Sequence, residues 1–166
     1  EAAGPDAAPR LDWEEAALRR YRDRLWLLPR ALPRPPAEPL AWSGEEVLAL
    51  PRGSGRLRRR LAATGVPGHC WEQGLVTVRW QLAGVRCRLP GGRGSRSLRK
   101  LCQAAGVPPW VRPWLPLVFV GDALAAVPGV AACEAPAPQA EEPCWEIVWE
   151  ERPDWLQFEE ETDGIP

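Results

Sequence analysis

The chain has 166 residues, of which 45% are hydrophobic and 26% charged, with a formal net charge of −1 at pH 7. That length holds one domain with a real core, and 20 prolines with 15 glycines call for short elements and turns rather than long helices. No apolar run approaches membrane-spanning length and no basic-then-apolar leader opens the chain, so the expectation is a soluble, cytoplasmic protein with no membrane partner. The chain starts at Glu1 and contains no methionine, which points to a piece of a longer protein.

In chain order, residues 1–10 read as linker. "ALRRYRDRLWLL", Ala17 to Leu28, alternates like one strand, with Tyr21, Asp23, Leu25 and Leu27 on one side. A helix over Asp12 to Tyr21 is the other reading. The proline-rich 29–39 segment is an extended connection, because proline cannot donate to a ladder. Short strands are predicted at Glu46–Leu50, Leu75–Trp80 and Val85–Arg88, each bounded by Gly or Pro.

Next comes "GGRGSRSLRKLCQAAGVPPW", residues 91–110. On a helix from Arg96 to Ala105, Leu98, Leu101, Cys102 and Ala105 share one face, and Arg96, Arg99 and Lys100 take the opposite one. Ser95 is the expected N-cap, and Gly106 with Pro108 the stop. "RRLAATGVP" (59–67) echoes "RKLCQAAGVP" (99–108) and suggests a second basic helix. Beyond it, two strands are expected around a Gly121-Asp122 turn, then a half-buried strand over "CWEIVWEE", then a frayed acidic end.

The net charge conceals a strong asymmetry. From Arg52 to Arg112 there are 12 arginines and Lys100 against the one acid Glu72; from Glu134 onward there are 11 acids against Arg152. Such polarity predicts a polyanion-binding face followed by an acidic tail, or two patches that satisfy each other. The five cysteines lack any C-x-x-C pair, and His69 beside Cys70 is poor spacing for a metal, so reduced core thiols and no metal site are expected.

Catalytic constellations are absent. "GGRGSR" and "PRGSGR" lack the lysine of a P-loop, and one histidine without an evident serine or cysteine partner makes a nucleophilic triad unpromising. For phosphate binding the 91–110 segment is better equipped. Gly91, Gly92 and Gly94 let backbone N–H groups approach an anion, a helix start near Ser95 adds donors, and Arg93 and Arg96 can fork onto phosphate oxygens. Trp110 and Trp114 are either base-stacking platforms or core residues.

Residues 91–129, with the basic "SLRKL", "GVPPW", Arg112, "LPL" and "GDALAAVPG", resemble the C-terminal domain of bacterial tRNA(Ile)-lysidine synthase. "RRYRDRLWLLP" and "VRWQLAGVRCRLPG" upstream are similar to it too, extending the resemblance over roughly 17–132. The resemblance implies an ATP-dependent ligase that attaches lysine to the wobble cytidine of an isoleucine tRNA. Its chemistry resides in a nucleotide-binding domain whose S-G-G-x-D-S loop is not in this sequence. ATP, with magnesium, belongs to that domain, and no cofactor to this fragment, which would be inactive alone. The implied role here is to hold the tRNA acceptor stem. The implied fold is α+β, a small three-layer domain on an unusual β-sandwich of short strands with one or two short helices. Carried over by position, the RNA phosphate-binding residues are Arg93, Ser95, Arg96, Arg99, Lys100 and Arg112, with no catalytic residue and no metal ligand.

The expected organisation is 1–16 linker or end of a preceding domain, 17–133 tRNA-binding domain, 134–150 acidic connection and terminal strand, and 151–166 flexible acidic tail. The alternative function is a protein-interaction domain whose basic face docks an acidic partner or its own tail.

Overall fold

A computed structural model describes residues 9–80 and 83–159. It contains fourteen short strands and two short α-helices. The strands are β1 (Arg10–Asp12), β2 (Ala16–Tyr21), β3 (Arg24–Pro29), β4 (Leu40–Ala41), β5 (Val47–Ala49), β6 (Arg56–Ala62) and β7 (Val66–Pro67), then β8 (Val76–Arg79), β9 (Arg86–Arg88), β10 (Ser95–Ser97), β11 (Leu117–Val120), β12 (Ala123–Val127), β13 (Ala131–Ala132) and β14 (Cys144–Glu150). The helices are α1 (Gly68–Glu72) and α2 (Leu98–Ala104). The α+β class expected from the sequence is what forms.

The largest sheet has five strands in the order β13-β12-β11-β8-β4. Its central strand, β11, is a continuous apolar run, Leu-Val-Phe-Val, buried at every position, as a strand with neighbours on both edges requires. β11 and β12 meet at the predicted Gly121-Asp122 turn, where Gly121 takes a φ of 59° and Val120 pairs with Ala123. A second sheet runs β5-β6-β14-β7, and a third, β1-β2-β3, lies at the N-terminal end. All of them feed one core through Val78, Leu57, Leu28, Leu117 and Trp149, joined by Leu98, Leu101 and Cys102 of α2. Indoles carry much of it: Trp42 packs edge-on to Trp71 at 4.7 Å and Trp114 to Trp155 at 5.0 Å.

Several expectations are corrected. The single strand over Ala17–Leu28 is a hairpin, β2 and β3, turning at Arg22 (φ 56°) and Asp23, and no helix forms over 12–21. Tyr21 pairs with Arg24, so the two-residue turn inverts the alternation. Leu28 is therefore buried, and Leu25 and Leu27 face out at 66% and 70% exposure. The second basic helix at 59–67 does not form; β6 and β7 occupy most of that stretch, and the nearby helix is the five-residue α1. Part of the expected linker is strand β1, while residues 1–8 lie outside the described ones.

At the other end, Leu156 and Phe158 are buried in the core beside the Trp155–Trp114 pair, so 154–158 is anchored rather than frayed. The rest of the expected flexible tail, 160–166, lies outside the described residues. Finally, the cysteines are not all reduced: Cys87 and Cys133 form a disulfide, and Cys70, Cys102 and Cys144 are buried outside it.

Candidate nucleic-acid interface

The arginine-rich half of the chain divides into two populations. The first is on β6, "RLRRRLA", where alternation puts Arg56, Arg58 and Arg60 on one face and Leu57, Arg59 and Leu61 on the other. Opposite them runs β14, in a register that sets Glu150 against Arg56, Val148 against Arg58 and Glu146 against Arg60. Arg56 and Arg58 each reach Glu150 at 3.1 Å, and Arg60 reaches Glu146 at 3.1 Å. Glu151 and Glu46 complete the set on Arg56 and Arg58. Desolvation pushes the Glu150 carboxyl up, but hydrogen bonds from Arg58 and Arg56 and their charges outweigh it and hold it below the ordinary carboxylate value. Arg59 points the other way, its guanidinium 4.2 Å from the Trp145 ring and 5.2 Å from Trp71. This half of the asymmetry satisfies itself.

The second population surrounds α2. β9 and β10 form a two-stranded antiparallel ribbon, pairing Arg86 with Ser97, Cys87 with Arg96 and Arg88 with Ser95. Cys87 points into the core, where its disulfide to Cys133 fastens the ribbon's base. At the tip, Gly91, Gly92 and Gly94 have φ of 74°, 70° and 90°, and a Cβ on any of them would meet nothing within 4 Å. Glycine is needed there for backbone conformation, not for lack of space. Arg93 donates to the Pro90 carbonyl at 3.0 Å, which folds the loop under it.

Two helix expectations shift here. Ser95 and Arg96 belong to β10, and α2 starts at Leu98. The N-cap is Ser97, whose hydroxyl accepts from the Lys100 N–H at 3.3 Å. Ser95 instead accepts from Arg86, Nε to its hydroxyl at 3.0 Å and Nη2 to its carbonyl at 3.1 Å. The apolar face of α2 is as expected, with Leu98, Leu101 and Cys102 buried and Arg99 and Lys100 exposed.

Arg93, Arg96, Arg99 and Lys100 thus lie exposed on one ribbon-plus-helix unit. The register places Arg86 and Arg88 on the ribbon face opposite Arg96. Arg93, Arg96 and Lys100 make no ion pair among the described residues. Arg88 has only a loose contact with Glu134 at 3.8 Å, its side chain 79% exposed.

Arg112 does not join them. It is only 9% exposed, and its guanidinium donates from Nε to the Val107 carbonyl at 2.9 Å and from Nη2 to the Tyr21 hydroxyl at 3.2 Å. A phosphate role for Arg112 is replaced by a structural one, tying the β2–β3 hairpin to the chain after α2. Trp110 and Trp114 are core residues, 5% and 2% exposed, and no base can stack on them.

One polar cluster was not legible in the sequence. The His69 Nδ1 lies 2.5 Å from Glu142 Oε1, and its Nε2 lies 3.5 Å from Cys70 Sγ. Glu142 Oε2 also accepts from the His69 backbone N–H at 2.7 Å. The order carboxylate, imidazole, thiol mimics a nucleophilic triad, but the thiol is fully buried and is pushed up by desolvation, Glu142 and Cys144. No substrate reaches it; the cluster pins α1 to the 139–143 turn. No group of three or more metal-ligating side chains occurs among the described residues, and no described helix is long and apolar enough to cross a membrane.

Residues 76–149, which hold the ribbon, α2 and the five-stranded sheet's main strands, match the family described as the TilS substrate C-terminal domain. Those residues form a domain of that family. Similar full-length proteins are the tRNA(Ile)-lysidine synthases of Methylococcus capsulatus, 42% identical over 130 residues (78% of this chain), and of Edwardsiella ictaluri, 35% identical over 155 residues (93%). That of Serratia proteamaculans is 34% identical over 152 residues (89%). These matches span 29%, 34% and 33% of the relatives' own lengths. The matched residues end at 149 within β14, so they take in Glu146 and stop one residue short of Glu150.

Proposed function

We propose that this chain is the tRNA-binding C-terminal part of a cytoplasmic tRNA(Ile)-lysidine synthase, and that the β9–β10 ribbon with α2 holds the sugar-phosphate backbone of the acceptor stem. The observation that carries this reading is selective neutralisation. Arg56, Arg58 and Arg60 of β6 are matched by Glu150 and Glu146, whereas Arg93, Arg96 and Lys100 stand exposed without acidic partners among the described residues. Cations left unmatched on a fastened, glycine-tipped ribbon suit a polyanion whose counterions they displace. Arg99 extends the same surface, and Arg86 and Arg88 give the opposite face of the ribbon its own positive charge. ATP, magnesium and lysine are used by the catalytic part of such a synthase, and the residues of this chain supply binding and orientation only.

The family membership supports an RNA ligand over an acidic protein. A direct test is competition between an acceptor-stem RNA hairpin, an anticodon-stem hairpin and poly-glutamate for the purified chain. The acceptor-stem hairpin is expected to bind tightest. Equal binding of poly-glutamate and RNA would favour the protein-docking alternative.

A further inference from the structure

The C-terminal end of α2 borders a cleft of about 370 Å³ that the ribbon does not share. Its walls come from the β2–β3 turn, from Ala104 to Gly106 and from the C-terminal segment, with Arg22, Arg24, Trp26 and Glu159 at its edge. Arg22 donates to the Gln103 carbonyl, a cation on the electronegative end of the helix that holds the turn in place. Arg24 is the outward cation. Its side chain is 58% exposed and its Nη2 is ion-paired with Glu159, itself 74% exposed. Asp23, between them in sequence, is fully solvated and lies 4.0 Å from Arg20.

This cleft continues the basic track. Arg99 and Gln103 lie one turn apart on α2, as do Lys100 and Ala104, so the exposed side of the helix leads from the ribbon to Arg24. What ends the track is a carboxylate delivered from elsewhere. Leu156 and Phe158 are seated in the core and bring Glu159 to Arg24, and Glu160, Glu161 and Asp163 follow in sequence.

We propose that the Arg24 cleft is a second seat for an RNA phosphodiester, and that Glu159 occupies it as an intramolecular competitor. This rests on the RNA-binding reading above. Both ligands are oxyanions that a guanidinium binds in the same way, and an exposed ion pair is weak enough to exchange. RNA that settles along α2 displaces Glu159 and takes its place on Arg24; without RNA, Glu159 occupies that end of the track.

The test is a tRNA titration at several salt concentrations with four proteins: the whole chain, a chain ending at Phe158, the same truncation carrying R24Q, and R96A/K100A in the whole chain. E159Q serves as a second variant should the truncation unfold. Truncation or E159Q is expected to tighten binding about two- to fivefold at low salt and to steepen the slope of log K against log salt by about 0.7–0.9. R24Q is expected to abolish both gains. No gain on truncation, or a gain that survives R24Q, overturns the proposal. If R96A/K100A weakens binding in that same experiment, the RNA-binding reading stands and only the second seat falls; if it does not, both fall.

Discussion

The Nε of Arg58 lies 3.1 Å from Oε1 of Glu150, across a strand pair whose members are 92 residues apart in sequence. That ion pair, with its neighbours, decides which of the chain's arginines are available to a ligand. Replacing both Glu146 and Glu150 with glutamine leaves Arg60 without its partner, while Arg56 keeps Glu151 and Arg58 keeps Glu46. The E146Q/E150Q chain is expected to bind unstructured RNA more tightly, with a salt slope steeper by about 0.7, the increment for one more phosphate neutralised. Filter binding over a salt series measures this. Unchanged affinity would mean that β6 is shielded by something other than its acids.

Acid stability follows from the same carboxylates. Glu150 and Glu142 are both held below the ordinary carboxylate value. In Glu142, desolvation pushes up and is outweighed by hydrogen bonds from the Gln139 N–H and from the His69 ring and N–H. A carboxylate depressed in the folded state contributes stability that is complete above its unfolded value and fades as pH falls through the folded one. Stability should therefore hold at neutral pH and fall away below about pH 4. Denaturant titrations of E142Q and E150Q should show lower stability at pH 7 and a shallower loss on acidification than the parent chain.

Arg112 separates structure from binding. Replacing it with methionine leaves the Val107 carbonyl and the Tyr21 hydroxyl without their donor in the core. A loss of roughly 2–4 kcal/mol is expected by chemical denaturation. The salt slope for tRNA should not change in the folded protein. A slope shallower by about 0.7–0.9 would restore Arg112 to the interface.

Two serines flank Arg96, and they should behave differently. Ser97→Ala removes the hydroxyl that caps α2 and should cost about 1 kcal/mol, a fall in Tm of roughly 2–4 °C for a chain of this size. Ser95→Ala removes only an exposed acceptor for Arg86 and should be close to neutral. Thermal unfolding of both variants decides which serine is the cap.

Local pattern is enough to mark some elements. The apolar spacing of Leu98, Leu101 and Cys102, the Gly121-Asp122 turn and the alternation of Trp145 to Glu150 each announce theirs. The start of α2 is not legible, because Ser95 and Ser97 are equally good caps in sequence and only the pairing of β10 with β9 settles between them. The β2–β3 turn is hidden because Arg22 and Asp23 carry no glycine to announce it, and Arg22 adopts φ 56° without one. The fate of the β6 arginines depends on a strand some 90 residues downstream, and the Cys87–Cys133 disulfide joins positions 46 residues apart. Charge counts alone cannot divide matched cations from unmatched ones.

The central claim is that the cations on the ribbon and α2 meet phosphates. Binding of tRNA to R96A/K100A, measured from low to moderate salt beside the parent chain, tests it most directly. The expected result is a slope of log K against log salt shallower by about 1.4–1.8, as when two phosphates are no longer neutralised, with the fold intact by circular dichroism. An unchanged slope in a folded variant would contradict it.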